Sequence, residues 1–179
     1  MPSCIPSVPP ILPQTGSYKL SSSFGYRSDP VYGRSAFHEG QDFASHKGNP
    51  VYATGDGIVE KVRYQYHGYG NEIIIDHGYG YRTRYAHLQS TLVVEGERIH
   101  RGDRIGTVGN TGKSTGPHLH YEVLFKGRPI DPMNFMDMTM PVAEYKTMVS
   151  EREAARAMTR QSVADLSKRQ KKLKANVRK

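Results

Sequence analysis

Residues 109–123 read GNTGKSTGPHLHYEV: a glycine-rich turn and a Gly116-Pro117 step, then two histidines one residue apart. From His118 the run continues to Leu124 and Phe125, alternating polar and apolar at its start and rich in β-forming residues at its end. That pattern predicts a strand over 118–125, in which successive side chains point to opposite faces. His118 and His120 then share one face, while Leu119 and Tyr121 turn to the other. Pro117 is tolerated where the strand begins, because no ladder hydrogen bond is lost there. Two imidazoles on one face are half of a metal site, although alone such a pair is as readily a coincidence.

The other half has to come from elsewhere in the chain. Histidines stand at 38, 46, 67, 77, 87, 100, 118 and 120. His38 lies in FHEGQDFA, four residues before Asp42; Gly40 between them and Gly48-Asn49-Pro50 after them argue against a helix. A chain that bends at Gly40 and enters a strand at Asp42 aims both side chains at one point. His87 closes another strand-like run, YRTRYAHL. Three separated segments therefore each carry a histidine at a strand edge, and one adds an aspartate. Three nitrogen or oxygen ligands with a fourth position open is the pattern of catalytic zinc. With more candidates than places, one or two histidines stand beside the metal, and spacing does not say which. The single cysteine, Cys4, excludes a thiolate-rich structural zinc site within one chain.

The motifs H38-E-G-Q-D42, Y85-A-H87-L and G-P-H118-L-H120 closely resemble, in order, the three signatures of the lysostaphin/LytM-type zinc endopeptidases, which cut peptides in bacterial peptidoglycan. The surrounding segments SSSFGYRSDPVYG, PVYATGDGIVEKV and GNEIIIDHGYGYRTRYAHL match the family as well, and the resemblance covers residues 20–134. It implies Zn2+ held by His38, Asp42 and His120, with His87 and His118 as an uncoordinated catalytic pair. One of that pair would work on a metal-activated water and the other on the developing oxyanion or the leaving amine; their division of labour stays open. The one departure inside a motif is Glu39, bulkier and more acidic than the resemblance leads one to expect. Members of the family cut glycine bridges or direct D-alanyl–diaminopimelate cross-links; the FGYRSDP lead-in is more similar to Gram-negative members, so the direct cross-link is the expected substrate. Peptidoglycan peptides are the implied partner, and the implied location is outside the cytoplasm, in the periplasm or cell envelope. Relatives that only bind peptidoglycan or activate another hydrolase typically lose ligands, whereas all three stand here.

The remaining histidines have plainer readings. His77 closes the apolar run IIIDH and is expected to support the fold or the site from behind; His46, His67 and His100 fall in polar loops and are expected at the surface. Asn71 and Arg82 lie near the ends of expected strands, from which a polar side chain can reach a substrate.

The chain has 179 residues, enough for one domain with an ordinary core. Mean hydropathy is -0.64, and no run approaches the length of a transmembrane helix. The proline-broken start, IPSVPPILP, lacks the pattern of a secretory signal, so a truncated chain that has lost its export or anchoring segment is expected. Residues 1–19 are expected to be an extended lead-in. Residues 20–140 hold the strand signals, at 56–63, 71–77, 81–87, 103–108 and 118–125, punctuated by glycine turns, which indicates a mainly β, antiparallel body. The resemblance implies that this body is a two-sheet sandwich-type catalytic domain with a substrate groove. A faint repeat, G-D-x-I at 55–58 and 102–105, fits a duplicated sandwich. Residues 141–179 contain no glycine, and their only proline is Pro141; they read as a basic helical or partly disordered tail. They carry 11 Lys and Arg against 4 Asp and Glu, whereas the first 140 residues carry 14 against 13. Nearly all of the net charge of +8 is therefore in the tail. It is expected to be a solvated helix, with contact to anionic envelope polymers or a membrane surface as the functional alternative. No nucleic acid is expected, since the body offers no binding motif to accompany the charge.

Overall fold

The structure, a computed structural model, describes residues 7–11, 18–28 and 33–177, with side chains up to residue 171. Cys4 and most of the expected lead-in lie outside the described residues. The elements in chain order are β1 (Lys19–Ser22), β2 (Gly25–Ser28), β3 (Ser35–His38), β4 (Gln41–Ala44), β5 (Pro50–Tyr52), β6 (Gly57–Tyr64), β7 (Asn71–Gly78), β8 (Tyr81–Ala86), β9 (Leu88–Thr91), β10 (Arg98–Ile99), β11 (Arg104–Val108), β12 (His118–Phe125) and β13 (Arg128–Ile130). A 3₁₀ turn at Pro132–Asn134 and one helix, α1 (Val142–Val177), complete the chain.

The large sheet has the order β1-β4-β12-β8-β7-β6-β10, with β13 also on β12; β5-β11-β9 form a second sheet and β2-β3 a separate hairpin. Every strand pairing is antiparallel. One core lies between the sheets: Phe43, Ile73, Ile75, Tyr85, Leu119, Tyr121 and Val123 from the large sheet meet Val51, Leu88, Ile105 and Val108 from around the small one. This is the mainly β, antiparallel body read from the sequence, in the two-sheet arrangement that the resemblance implied. The five long strand expectations fall within a residue or so of β6, β7, β8, β11 and β12. The other strands have only two to four residues each, too few for a period of two to stand out.

β12 serves both the core and the site. Leu119, Tyr121 and Val123 are fully buried on one face, each aliphatic side chain among them contributing about 1.5–3 kcal/mol. The alternate residues, His118, His120 and Glu122, face the other way, as strand geometry requires.

Residues 7–11 and the first turns of α1 pack together on this body. Val8 joins Tyr52, Tyr145 and Val149 in a second apolar cluster. The Tyr145 hydroxyl donates to the Pro9 carbonyl at 2.7 Å, and the Tyr52 amide donates to that of Pro10 at 2.8 Å. Further along α1, Arg152 Nε lies 3.1 Å from the buried Asp103 carboxylate, and Arg156 pairs with Glu97. The first four turns of the helix are therefore docked, contrary to a wholly solvated tail, whereas residues 157–171 are exposed. The anchors are isolated residues at helical spacing, and no continuous apolar stripe announced them. Among the described residues no helix is long and apolar enough to cross a membrane.

Candidate metal centre and active site

Strand register assembles the site. β12 places His120 opposite Asp42 of β4 on one side and opposite Ala86 of β8 on the other. His38 ends β3, and the Glu39-Gly40 turn brings the chain straight back into β4, so His38 and Asp42 reach the same point. His87 follows Ala86 directly. All five residues singled out by sequence line one cleft, together with Arg27, Gly68, Tyr69, Lys113, Ser114 and Thr115.

The turn at Gly40 passes so close to β12 that a Cβ there would lie 2.5 Å from the Tyr121 carbonyl oxygen and 2.9 Å from His120 Cε1. Alanine at 40 must push either the backbone of β12 or the His120 ring. Gly40→Ala is therefore expected to weaken metal binding at this group by about 10–100-fold, the range seen when support around a ligand is lost. Competition against a chelator measures this, and wild-type affinity would show that the turn relaxes without moving the ring.

Three donor atoms converge. His38 Nε2 and Asp42 Oδ1 are 3.2 Å apart, His120 Nδ1 and Asp42 Oδ1 2.8 Å, and His38 Nε2 and His120 Nδ1 3.1 Å. Among the described residues this is the one group of this kind that could hold a metal ion. A tetrahedral ion with bonds of about 2.0–2.2 Å needs ligand atoms about 3.3–3.6 Å apart, so side-chain movements of less than about 1 Å suffice. The donor set, two imidazoles and one carboxylate, also suits zinc. The residues present fit the metal.

Three of the four rings are fixed by carbonyl oxygens, which only accept. His38 Nδ1–H donates to Ser23 at 2.9 Å, His87 Nδ1–H to Thr111 at 2.7 Å and His118 Nδ1–H to Gly116 at 2.8 Å. Each ring therefore presents Nε2 to the cleft. The centroids of His87 and His118 are 4.7 Å apart, and His118 Nε2 lies 3.8 Å from Asp42 Oδ1. His87 is in the left-handed region, at φ 58°, an uncommon conformation for a residue with a Cβ. Its amide donates to the Tyr69 carbonyl at 2.8 Å, which helps hold it there.

His120 is turned the other way, with Nδ1 in the triangle and Nε2 2.9 Å from Glu122 Oε1. Glu122, fully buried, pairs with Arg84 Nη1 at 2.7 Å, and Arg84 Nε pairs with the buried Glu72 at 3.0 Å. The Arg84 guanidinium also lies over the Tyr69 ring, 4.1 Å from its centroid. Sequence reading missed this network. Its one signal was a glutamate on the histidine face of β12, but the partners come from two other strands.

The electrostatics follow this pairing. Burial works against ionisation of Asp42, but hydrogen bonds from His120 and His38 outweigh it and hold the carboxyl below its usual range. Burial likewise opposes a charged His120, yet its bonds to Asp42 and Glu122 push its pKa up to about 9. His87 is depressed to about 4, first by burial and then by neighbouring His118. It is therefore neutral near pH 7.

Glu39 accepts a hydrogen bond from the Tyr69 hydroxyl at 3.1 Å, so the one motif departure braces the cleft wall carrying Tyr69. His77 is buried between the Asp56 carbonyl, at 2.6 Å, and Thr83 Oγ1, at 2.7 Å, and supports the sheet away from the cleft. His46, His67 and His100 are exposed, as expected. Asn71 and Arg82 are not among the residues lining the cleft.

The chain matches known proteins along this same region. The family model described as Peptidase family M23 matches residues 36–132. The peptidoglycan DD-endopeptidase ShyA of Vibrio cholerae serotype O1 is 44% identical over 146 residues, which cover 79% of this chain and 34% of ShyA. The chain thus spans about a third of that relative's length. A crystal structure of a zinc containing peptidase from Vibrio cholerae aligns with TM-score 0.65 and 43% identity, over 72% of this chain and 39% of that one. The catalytic domain of lysostaphin from Staphylococcus simulans aligns with TM-score 0.61 and 32% identity, over 66% of this chain and 91% of that one.

Proposed function

This chain belongs to peptidase family M23, and from that premise we propose that its cleft hydrolyses peptide bonds of bacterial peptidoglycan with zinc as the metal. The observation that carries the reading is the convergence of His38 Nε2, Asp42 Oδ1 and His120 Nδ1 beside two more imidazoles whose Nε2 atoms face the same cleft. The zinc named for the Vibrio cholerae peptidase supports the choice of metal. ShyA is named a peptidoglycan DD-endopeptidase, and a D-alanyl–diaminopimelate cross-link is a bond of that DD class; peptidoglycan as substrate also supports a place of work outside the cytoplasm.

His38, Asp42 and His120 would hold the ion, which supplies Lewis acidity toward a peptide carbonyl and makes water acidic enough to attack near neutral pH. The protein's own groups do the rest. Glu122 accepts the Nε2 proton of His120 and so aims Nδ1 at the centre. Arg84 keeps the buried Glu122 charged. His87 and His118, each pinned through Nδ1, offer Nε2 to move a proton or to donate to a developing oxyanion. The neutral state of His87 equips it to accept a proton. The basic exposed turns of α1 are proposed to attract anionic envelope polymers, on charge alone.

The test is incubation of the zinc-loaded protein with defined cross-linked muropeptide dimers, followed by mass spectrometry. The dimers are expected to yield monomers by hydrolysis of the D-alanyl–diaminopimelate bond. Cleavage elsewhere would replace the substrate assignment, and intact dimers would reject the hydrolytic reading.

A further inference from the structure

The cleft contains a cation for which the hydrolytic chemistry described above has no task. Arg27, on the β2-β3 hairpin, borders both the metal half of the cleft and its continuation along Ser21, Ser22, Ser28 and Pro117. Its Nη2 lies 3.9 Å from Asp42 Oδ2, longer than the roughly 2.7–2.9 Å of a charge-assisted hydrogen bond. Among the described residues its other polar contact is with the adjoining Ser28 carbonyl, at 3.4 Å. The Nε atom has no hydrogen-bond partner among the described residues. That nitrogen is buried, but Nη1 and Nη2 make only the two long contacts just given, and a partly exposed guanidinium edge of this kind is suited to a planar anion that takes one bond from each.

The proposed substrate supplies such an anion. In a D-alanyl–diaminopimelate link, the residue on the amine side of the cut bond carries a free α-carboxylate. That group is two bonds from the scissile nitrogen, with its oxygens about 3 Å away. A carbonyl seated at the His38, Asp42 and His120 triangle would therefore bring this carboxylate within reach of a guanidinium that already approaches Asp42.

We propose that Arg27 is the carboxylate-recognition residue of the cleft and selects substrates whose amine-side residue bears a free α-carboxylate. This rests on the hydrolytic reading of the cleft and adds to it a reason for preferring direct cross-links over bonds within a continuous peptide. In the latter, the same position is an uncharged amide.

The experiment compares two cross-linked peptides that differ only in this α-carboxylate, free in one and amidated in the other, with kcat/KM measured for the zinc-loaded wild type, Arg27→Gln and Arg27→Lys. The wild type should prefer the free acid by about 10–100-fold, the range of hydrogen bonds to a charged group. Arg27→Gln should lose that preference by slowing on the acid while changing little on the amide. Arg27→Lys, which keeps the charge without the fork, should retain part of it. An equal fall on both peptides would make Arg27 a counter-ion of Asp42 instead and overturn the subsite. A wild type indifferent to amidation would overturn it equally. Failure of the wild type to cut either peptide while holding zinc would reject the hydrolytic reading, and the subsite with it.

Discussion

His120→Ala is expected to lose zinc and hydrolysis together. The substitution removes one of three protein ligands from a triangle whose edges are 2.8–3.2 Å. It also strips Glu122, fully buried, of the ring that satisfies Oε1. The loss in metal affinity should exceed the roughly 10–100-fold seen when only an outer partner of a ligand is removed. An unsatisfied buried group costs about 1–3 kcal/mol, and more when charged, so a lower Tm should accompany it. Elemental analysis after dialysis against a trace of zinc measures the binding. One zinc per chain in the variant would reject His120 as a ligand.

His118→Ala should separate metal from chemistry. The ring is held through Nδ1 by the Gly116 carbonyl, and its Nε2 stays 3.8 Å from Asp42 Oδ1, farther out than any pair within the triangle. Zinc content should remain at one per chain, while kcat falls by about 10²–10⁴-fold, the range for a positioned proton-transfer group. The fold should survive, because His118 sits on the cleft face of β12 and not in the core. Loss of zinc along with turnover would turn His118 into a ligand and reverse the reading of the pair.

Much of this site was legible in the sequence because local pattern and site geometry coincide along one strand. Alternation in HLHYEV put His118 and His120 on a common face, and Gly40 announced the bend that unites His38 with Asp42. What stayed hidden depends on pairing between distant segments. Glu122, Arg84 and Glu72 become one network only through the registers of β12 on β8 and β8 on β7, and no spacing within a single strand encodes that. Thr111 was invisible for a similar reason, since it acts through its backbone carbonyl on His87. Arg27 lay inside a motif that helped identify the family, yet its position over the cleft follows from how the β2-β3 hairpin folds back. The docking of residues 7–11 under α1 was equally unreadable, since short proline-rich segments carry no periodic signal.

The two faces of β12 carry a further consequence, for safety. Because side chains alternate along a strand, a slip of one residue between β12 and its neighbours would bury the histidines and expose Leu119, Tyr121 and Val123. The register that completes the core is the one that completes the proposed active centre. An unfinished or misthreaded chain therefore does not gather the ligands and imidazoles of the cleft, and the proposed hydrolysis would begin only once the interior has closed.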